Sequence, residues 1–313
     1  MMQQAYETAQ LLRSNMESVI LGKQEAVRCI VLTLLAGEHL LLEDVPGVGK
    51  TLAAKALAGS IDSSFNRIQF TPDLLPSDIT GSSIYRNDTH EFQFTRGPVF
   101  AQVVLADEIN RAPPRTQSAL LEAMSDRQVS VDGTTYSLPD PFIVVATQNP
   151  FEFEGTYVLP ESQMDRFLLR TSLGYPDREI EQAVLKSHRD GEPVEKIESA
   201  VTTEQVLAAQ KAVREVRFDE SLESYLLGIV AATRSSDRFR LGVSTRAALA
   251  YYRGCQARAI TDGRDFVIPD DIKALAVPVL AHRILLDDFS GNANRSLAET
   301  ALGDLVNQIP VPV

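Results

Sequence analysis

The sequence predicts an α/β domain on a mostly parallel sheet, followed by a smaller all-helical domain. Three observations carry this. Short apolar runs alternate with helical patterns up to about residue 175, the arrangement that yields a parallel sheet with helices on its faces. Beyond Pro176 no convincing strand remains, and amphipathic helical patterns follow. The length of 313 residues exceeds what one core ordinarily covers, so two domains are expected, 1–175 and 176–313.

Each element has its own signal. Residues 23–36 carry apolar groups at helical spacing and stop at Gly37, a helix terminator. His39 to Leu42 is an apolar strand, and after a turn holding Pro46, Gly47 and Gly49 a helix spans Thr51 to Gly59. Phe65 to Phe70 is a second strand. The turn-rich stretch after it, with the alternating piece EFQFT, predicts an inserted hairpin near 79–95. Gln102 to Ala106 is a buried strand ending in two acids. Pro114 suits the first position of a helix to about Ser125, since its missing N–H costs nothing there. Asp132-Gly133 between alternating runs predicts a tight hairpin over 127–139. Phe142 to Ala146 and Leu168 to Leu173 complete five strands. Helices are expected over 204–215, 219–234, 244–261 and 270–281.

Composition narrows the function classes. With 44% hydrophobic and 23% charged residues the chain is globular rather than disordered. The N-terminus has no basic flank before a long apolar run, and the longest apolar stretch, Cys29 to Ala36, is too short to span a bilayer. A cytoplasmic protein without membrane insertion is expected. Cys29 and Cys255 both sit in apolar helical patterns and read as buried free thiols. A net charge of −12 repels phosphate backbones, which argues against a nucleic-acid partner.

The chemistry-bearing residues cluster at strand ends. Gly47-Val48-Gly49-Lys50-Thr51 fits the end of the phosphate-loop pattern, in which glycines let backbone N–H groups approach phosphates at a helix N-terminus. Lys50 would contact the β and γ phosphates, and the Thr51 hydroxyl would ligate magnesium. Asp44 stands where the full pattern asks for glycine, and Asp tolerates left-handed turn geometry better than most residues. Val103 to Ala106 delivers Asp107 and Glu108 to the carboxyl end of its strand, where ligands of open α/β sheets bind. Asp107 would hold the magnesium and Glu108 would polarise the attacking water. Asn149 closes a third strand and suits a hydrogen bond to that water or the γ phosphate, although Asn-Pro by itself is a turn signal. Arg166 and Arg246 are the basic groups available to the phosphates; read alone, each is a surface-helix arginine.

These segments resemble the motifs of AAA+ ATPases, and within them the MoxR family, in order along nearly the whole chain. LLEDVPGVGKT is similar to the family's Walker A, VVLADEINRAPPRTQSALLEAM to its Walker B with the following helix, and VVATQNP to its sensor 1. LPESQMDRFLL is similar to its arginine-finger helix and GVSTRAALAYYRGCQARA to its sensor 2. The resemblance implies a nucleotide-binding segment Val45-Pro46-Gly47-Val48-Gly49-Lys50-Thr51-Leu52, Asp107 for magnesium, Glu108 as base and Asn149 as sensor 1. It further implies Arg246 as a lid arginine sensing nucleotide from its own subunit, and Arg166 as the finger reaching a neighbour's ATP. Arg111 and Arg115 are alternative interface arginines, and backbone near Ile20 to Gly22 is expected to meet the adenine.

The function so implied is Mg-dependent ATP hydrolysis in a ring, usually a hexamer, that remodels or activates a protein client, with a von Willebrand A domain protein as partner. A metal-chelatase-like motor is a variant with the same chemistry. A nucleic-acid motor fits less well, because the 127–139 hairpin carries Asp132 and no basic residue over Val131 to Thr135. ATP is favoured over GTP, for which the chain lacks an Asn-Lys-x-Asp segment.

Overall fold

A computed structural model of the chain describes residues 1–150, 155–287 and 293–312. Helix α1 (Met2–Glu17) and α2 (Gln24–Ala36) lead to β1 (Leu40–Glu43), and α2 stops at Gly37 in the left-handed conformation, φ 71°. After β1 come α3 (Lys50–Ser60), β2 (Phe65–Gln69) and the short α4 (Pro76–Thr80). Next is a hairpin of β3 (Gly81–Arg86) and β4 (Glu91–Arg96), then β5 (Val103–Asp107) and α5 (Pro114–Asp126). A second hairpin, β6 (Gln128–Val131) and β7 (Thr134–Ser137), turns on Asp132 and Gly133, both at positive φ, as such a two-residue turn requires. β8 (Ile143–Gln148), α6 (Glu161–Met164) and β9 (Leu169–Thr171) end the strands of the main sheet.

The helical remainder comprises α7 (Arg178–Ser187), α8 (Thr203–Val213), α9 (Glu220–Ser235), α10 (Thr245–Thr261), α11 (Pro269–Leu280) and α12 (Ala293–Gln308), with a small pair of β10 (Phe239–Leu241) and β11 (Leu285–Leu286). The main sheet has five parallel strands in the order β2-β5-β8-β1-β9. The register aligns Leu40 of β1 with Val145 and Leu169, and Val103 of β5 with Ile143 and Phe65.

Both faces of the sheet are covered, which is why its strands read as continuous apolar runs. Leu40, Leu42, Val103, Leu105, Ile143, Val145 and Leu169 face one apolar cluster shared with α1, α2, α3 and the C-terminal helices. Leu41, Ile68, Val104, Ala106, Val144 and Ala146 face a second cluster with Leu120, Leu121 and Met124 of α5. The sheet is thereby a rigid plate whose strands all end at one carboxyl edge. Among the described residues no helix is long and apolar enough to cross a membrane.

Candidate nucleotide site

The phosphate loop forms because glycine alone is comfortable where the chain turns. Gly47 and Gly49 lie at φ 83° and 97°, left-handed values that suit glycine. A Cβ on Gly47 would meet nothing within 4 Å, so the loop opens onto free space. Gly49 caps α3 without a side-chain hydrogen bond, leaving the helix's first amides directed at that space, as an anion site needs. Lys50 is buried and donates from Nζ to the Asp44 carbonyl at 2.6 Å. Burial pushes its ammonium below the ordinary value, opposed by the charges of Asp44, Asp107 and Glu108.

Asp107 ends β5 and is held from both neighbouring strands. Its Oδ1 accepts from Thr147 Oγ1 on β8 at 2.6 Å, and its Oδ2 accepts from Arg67 of β2, at 2.6 Å from Nη2 and 3.1 Å from Nε. Glu108 follows at φ 58°, a conformation that costs a non-glycine residue about 1–2 kcal/mol and that marks functional turns. Its backbone N–H donates to Thr147 Oγ1 at 2.9 Å, while its Oε2 accepts from Gln69 at 3.1 Å and pairs with Arg111 at 3.0 Å. Asn149, half-buried, follows β8 directly. Lys50, Asp107, Glu108 and Asn149 thus converge on one edge of the sheet. Lys50, the open glycine loop and the α3 N-terminus fit a nucleotide's phosphates. Thr51 and Asp107 are the hard oxygen donors suited to magnesium.

Two sequence expectations are corrected. Asp44 is not left-handed, since the positive-φ non-glycine residues among those described are His90, Glu108, Arg127 and Asp132. Its carboxylate instead accepts backbone N–H groups of Val45, Leu173 and Gly174 at 2.9, 2.7 and 2.6 Å. Arg246 does not join the phosphate loop of its own chain. It lines a cavity of about 410 Å³ with Arg127, Arg166, Arg214 and Arg253, beside His39, which enters β1 at the edge opposite Lys50. The cause lies in packing, because Ser244 at the start of α10 donates to Asp165 at 2.9 Å and so docks that helix at the entry to β9.

Arg166 is tied to α5, donating to the Leu121 carbonyl at 2.5 Å and to Ser125. Burial and the nearby Arg246 charge lower its guanidinium below the ordinary value. Arg111 faces Glu108 of its own chain, and Arg115 is exposed on α5. Gly22, at φ 71°, is packed so closely by Ile180 of α7 that a Cβ would come within 2.9 Å of it. Sequence reasoning missed Arg67, Gln69 and Thr147, whose only signal is their period-two placement on strands adjoining β5.

A phosphate loop at the end of β1, paired acids at the end of β5 and a helical domain packed behind the sheet define a AAA+ P-loop ATPase. Residues 39–169 match the family described as "ATPase family associated with various cellular activities (AAA)", and 231–302 match the AAA lid domain. Chaperone MoxR1 of Mycobacterium tuberculosis is 41% identical, over 93% of this chain and 81% of that protein. YeaC of Bacillus subtilis, an uncharacterized protein, is 48% identical over 94% and 92%. A Cytophaga hutchinsonii crystal structure, of a protein assigned as an ATPase, superposes with a TM-score of 0.88 at 36% identity, covering 99% of this chain and 96% of that one. The chain belongs to the MoxR family of AAA+ ATPases.

Proposed function

We propose that this chain hydrolyses ATP with magnesium in a ring, a hexamer as the family resemblance implies, and uses the cycle to remodel a protein client. The observation carrying this reading is the convergence of Lys50, Asp107 and Glu108 at one sheet edge, where each acid lies close enough to act on the Lys50 charge. Lys50 and the amides of the glycine loop bind the β and γ phosphates. Thr51 and Asp107 hold magnesium, which when bound neutralises phosphate charge. Glu108 takes the proton of the attacking water, after exchanging its bonds to Gln69 and Arg111 for that water, and Asn149 orients it.

A single chain leaves this site without an arginine from the finger helix or the lid. Arg166 and Arg246 lie together at the opposite edge, so both are assigned to the ATP of the next protomer, stabilising the charge that develops on the transferred phosphoryl group. The chaperone name of the 41% identical relative supports a client-remodelling role, with a von Willebrand A domain protein as the separate partner. Magnesium-dependent turnover should rise per subunit with protein concentration and fall by orders of magnitude in Glu108→Gln and in Arg166→Ala. Turnover that ignores concentration and survives Arg166→Ala would refute the shared site.

A further inference from the structure

Asp44 occupies the position where the phosphate-loop pattern carries glycine, and its backbone is not left-handed. The loop geometry therefore does not require this residue. Its side chain has a different task. The carboxylate is buried, 8% exposed, and receives three main-chain N–H groups. Oδ1 accepts from Val45 at 2.9 Å; Oδ2 accepts from Leu173 at 2.7 Å and Gly174 at 2.6 Å, residues 129 and 130 positions away. An ionised acceptor makes such bonds short and strong.

The two distant amides lie just beyond β9, in the segment that carries the chain out of the sheet and into α7. The next residue, Tyr175, accepts at its carbonyl from Lys23 Nζ at 2.9 Å, and Ile180 of α7 rests on Gly22. The same residue 44 also accepts Lys50 Nζ at its carbonyl, at 2.6 Å. An anion that draws Lys50 away acts directly on residue 44, and residue 44 is tied to the exit segment.

We propose that Asp44 is a positioning residue that couples phosphate-loop occupancy to segment 173–175 and, through it, to the helical domain. This inference rests on the nucleotide-site reading above. A glycine would keep the loop and remove the tie.

The test compares wild type with Asp44→Gly and Asp44→Asn by ATP binding, steady-state turnover, and hydrogen exchange of the 173–174 amides with and without a non-hydrolysable ATP analogue. Asp44→Gly is expected to bind the analogue within about threefold of wild type while kcat falls about tenfold, the size of effect a coupling residue carries. The analogue-dependent change in 173–174 exchange should disappear. Asp44→Asn keeps one acceptor oxygen and should recover part of kcat. Unchanged kcat with unchanged analogue-dependent exchange overturns the proposal. So does a kcat loss matched by equal losses of binding and melting temperature, which marks a merely structural strut. Wild type that binds the analogue without turnover sinks the hydrolysis reading instead, and the exchange measurement still decides the role of Asp44.

Discussion

The two edges of the central sheet are built from the same strands, yet His39 at one and the paired acids Asp107 and Glu108 at the other are held in opposite ways. At the amino edge, His39 is buried with both ring nitrogens satisfied: Nδ1 accepts from the Val144 N–H at 3.0 Å and Nε2 meets the Met124 carbonyl at 3.1 Å. Because one partner is a donor and the other an acceptor, the ring is held neutral. At the carboxyl edge, Asp107 and Glu108 are satisfied by side chains, Arg67, Thr147, Gln69 and Arg111, which can swing away. Two backbone partners hold the buried His39 ring in place, whereas side-chain partners hold the carboxylates of Asp107 and Glu108 until a ligand arrives. The sheet also separates Lys50 from Arg166 and Arg246, so on the proposed reading one chain holds two halves of two different sites.

That separation gives the largest expected effect. Arg166→Ala should lose about 10³-fold or more in turnover while nucleotide binding persists. Mixing it with Glu108→Gln should restore turnover, because a chain with an intact Glu108 then meets a neighbour with an intact arginine. No restoration would mean that the two edges do not meet across protomers.

Glu108→Gln alone should cost about 10²–10⁴-fold in turnover, with the melting temperature unchanged. A matching loss of stability would erase the contrast between a replaceable and a permanent edge.

His39 tests the permanent edge. Burial lowers its pKa from the ordinary 6.5 to about 4, with the nearby Arg127 charge adding to the fall. The unfolded chain therefore binds the extra proton first as pH drops. The stability contributed by the neutral ring is complete above pH 6.5 and is lost toward pH 4, on the order of 3 kcal/mol. His282, also buried and shifted down, acts with the same sign. Denaturant midpoints at pH 7 and pH 4.5 would measure this, and a His39→Gln variant should show a shallower dependence.

The smallest effect is expected at Arg67. Its guanidinium occupies Asp107 Oδ2, so Arg67→Ala should lower the magnesium concentration for half-maximal nucleotide binding by a few-fold, about the worth of one partly exposed ion pair. A higher requirement would show that Arg67 orients Asp107 rather than competing for it.

Much of this was legible in the sequence because its causes are local. Apolar runs of strand length define the five strands, Gly37 and Pro114 set helix ends, Asp132-Gly133 sets a hairpin, and the glycines before Lys50 define a phosphate loop. What the tertiary structure alone decided depends on residues far apart in the chain. Asp44 bonds to amides 129 and 130 positions away, Arg67 reaches across 40 residues to Asp107, and Ser244 docks α10 on Asp165 79 positions before it, carrying Arg246 away from the loop it was expected to serve. Periodicity and turn chemistry report on a few neighbouring residues. Which distant polar groups meet is set only when both faces of the sheet have been packed.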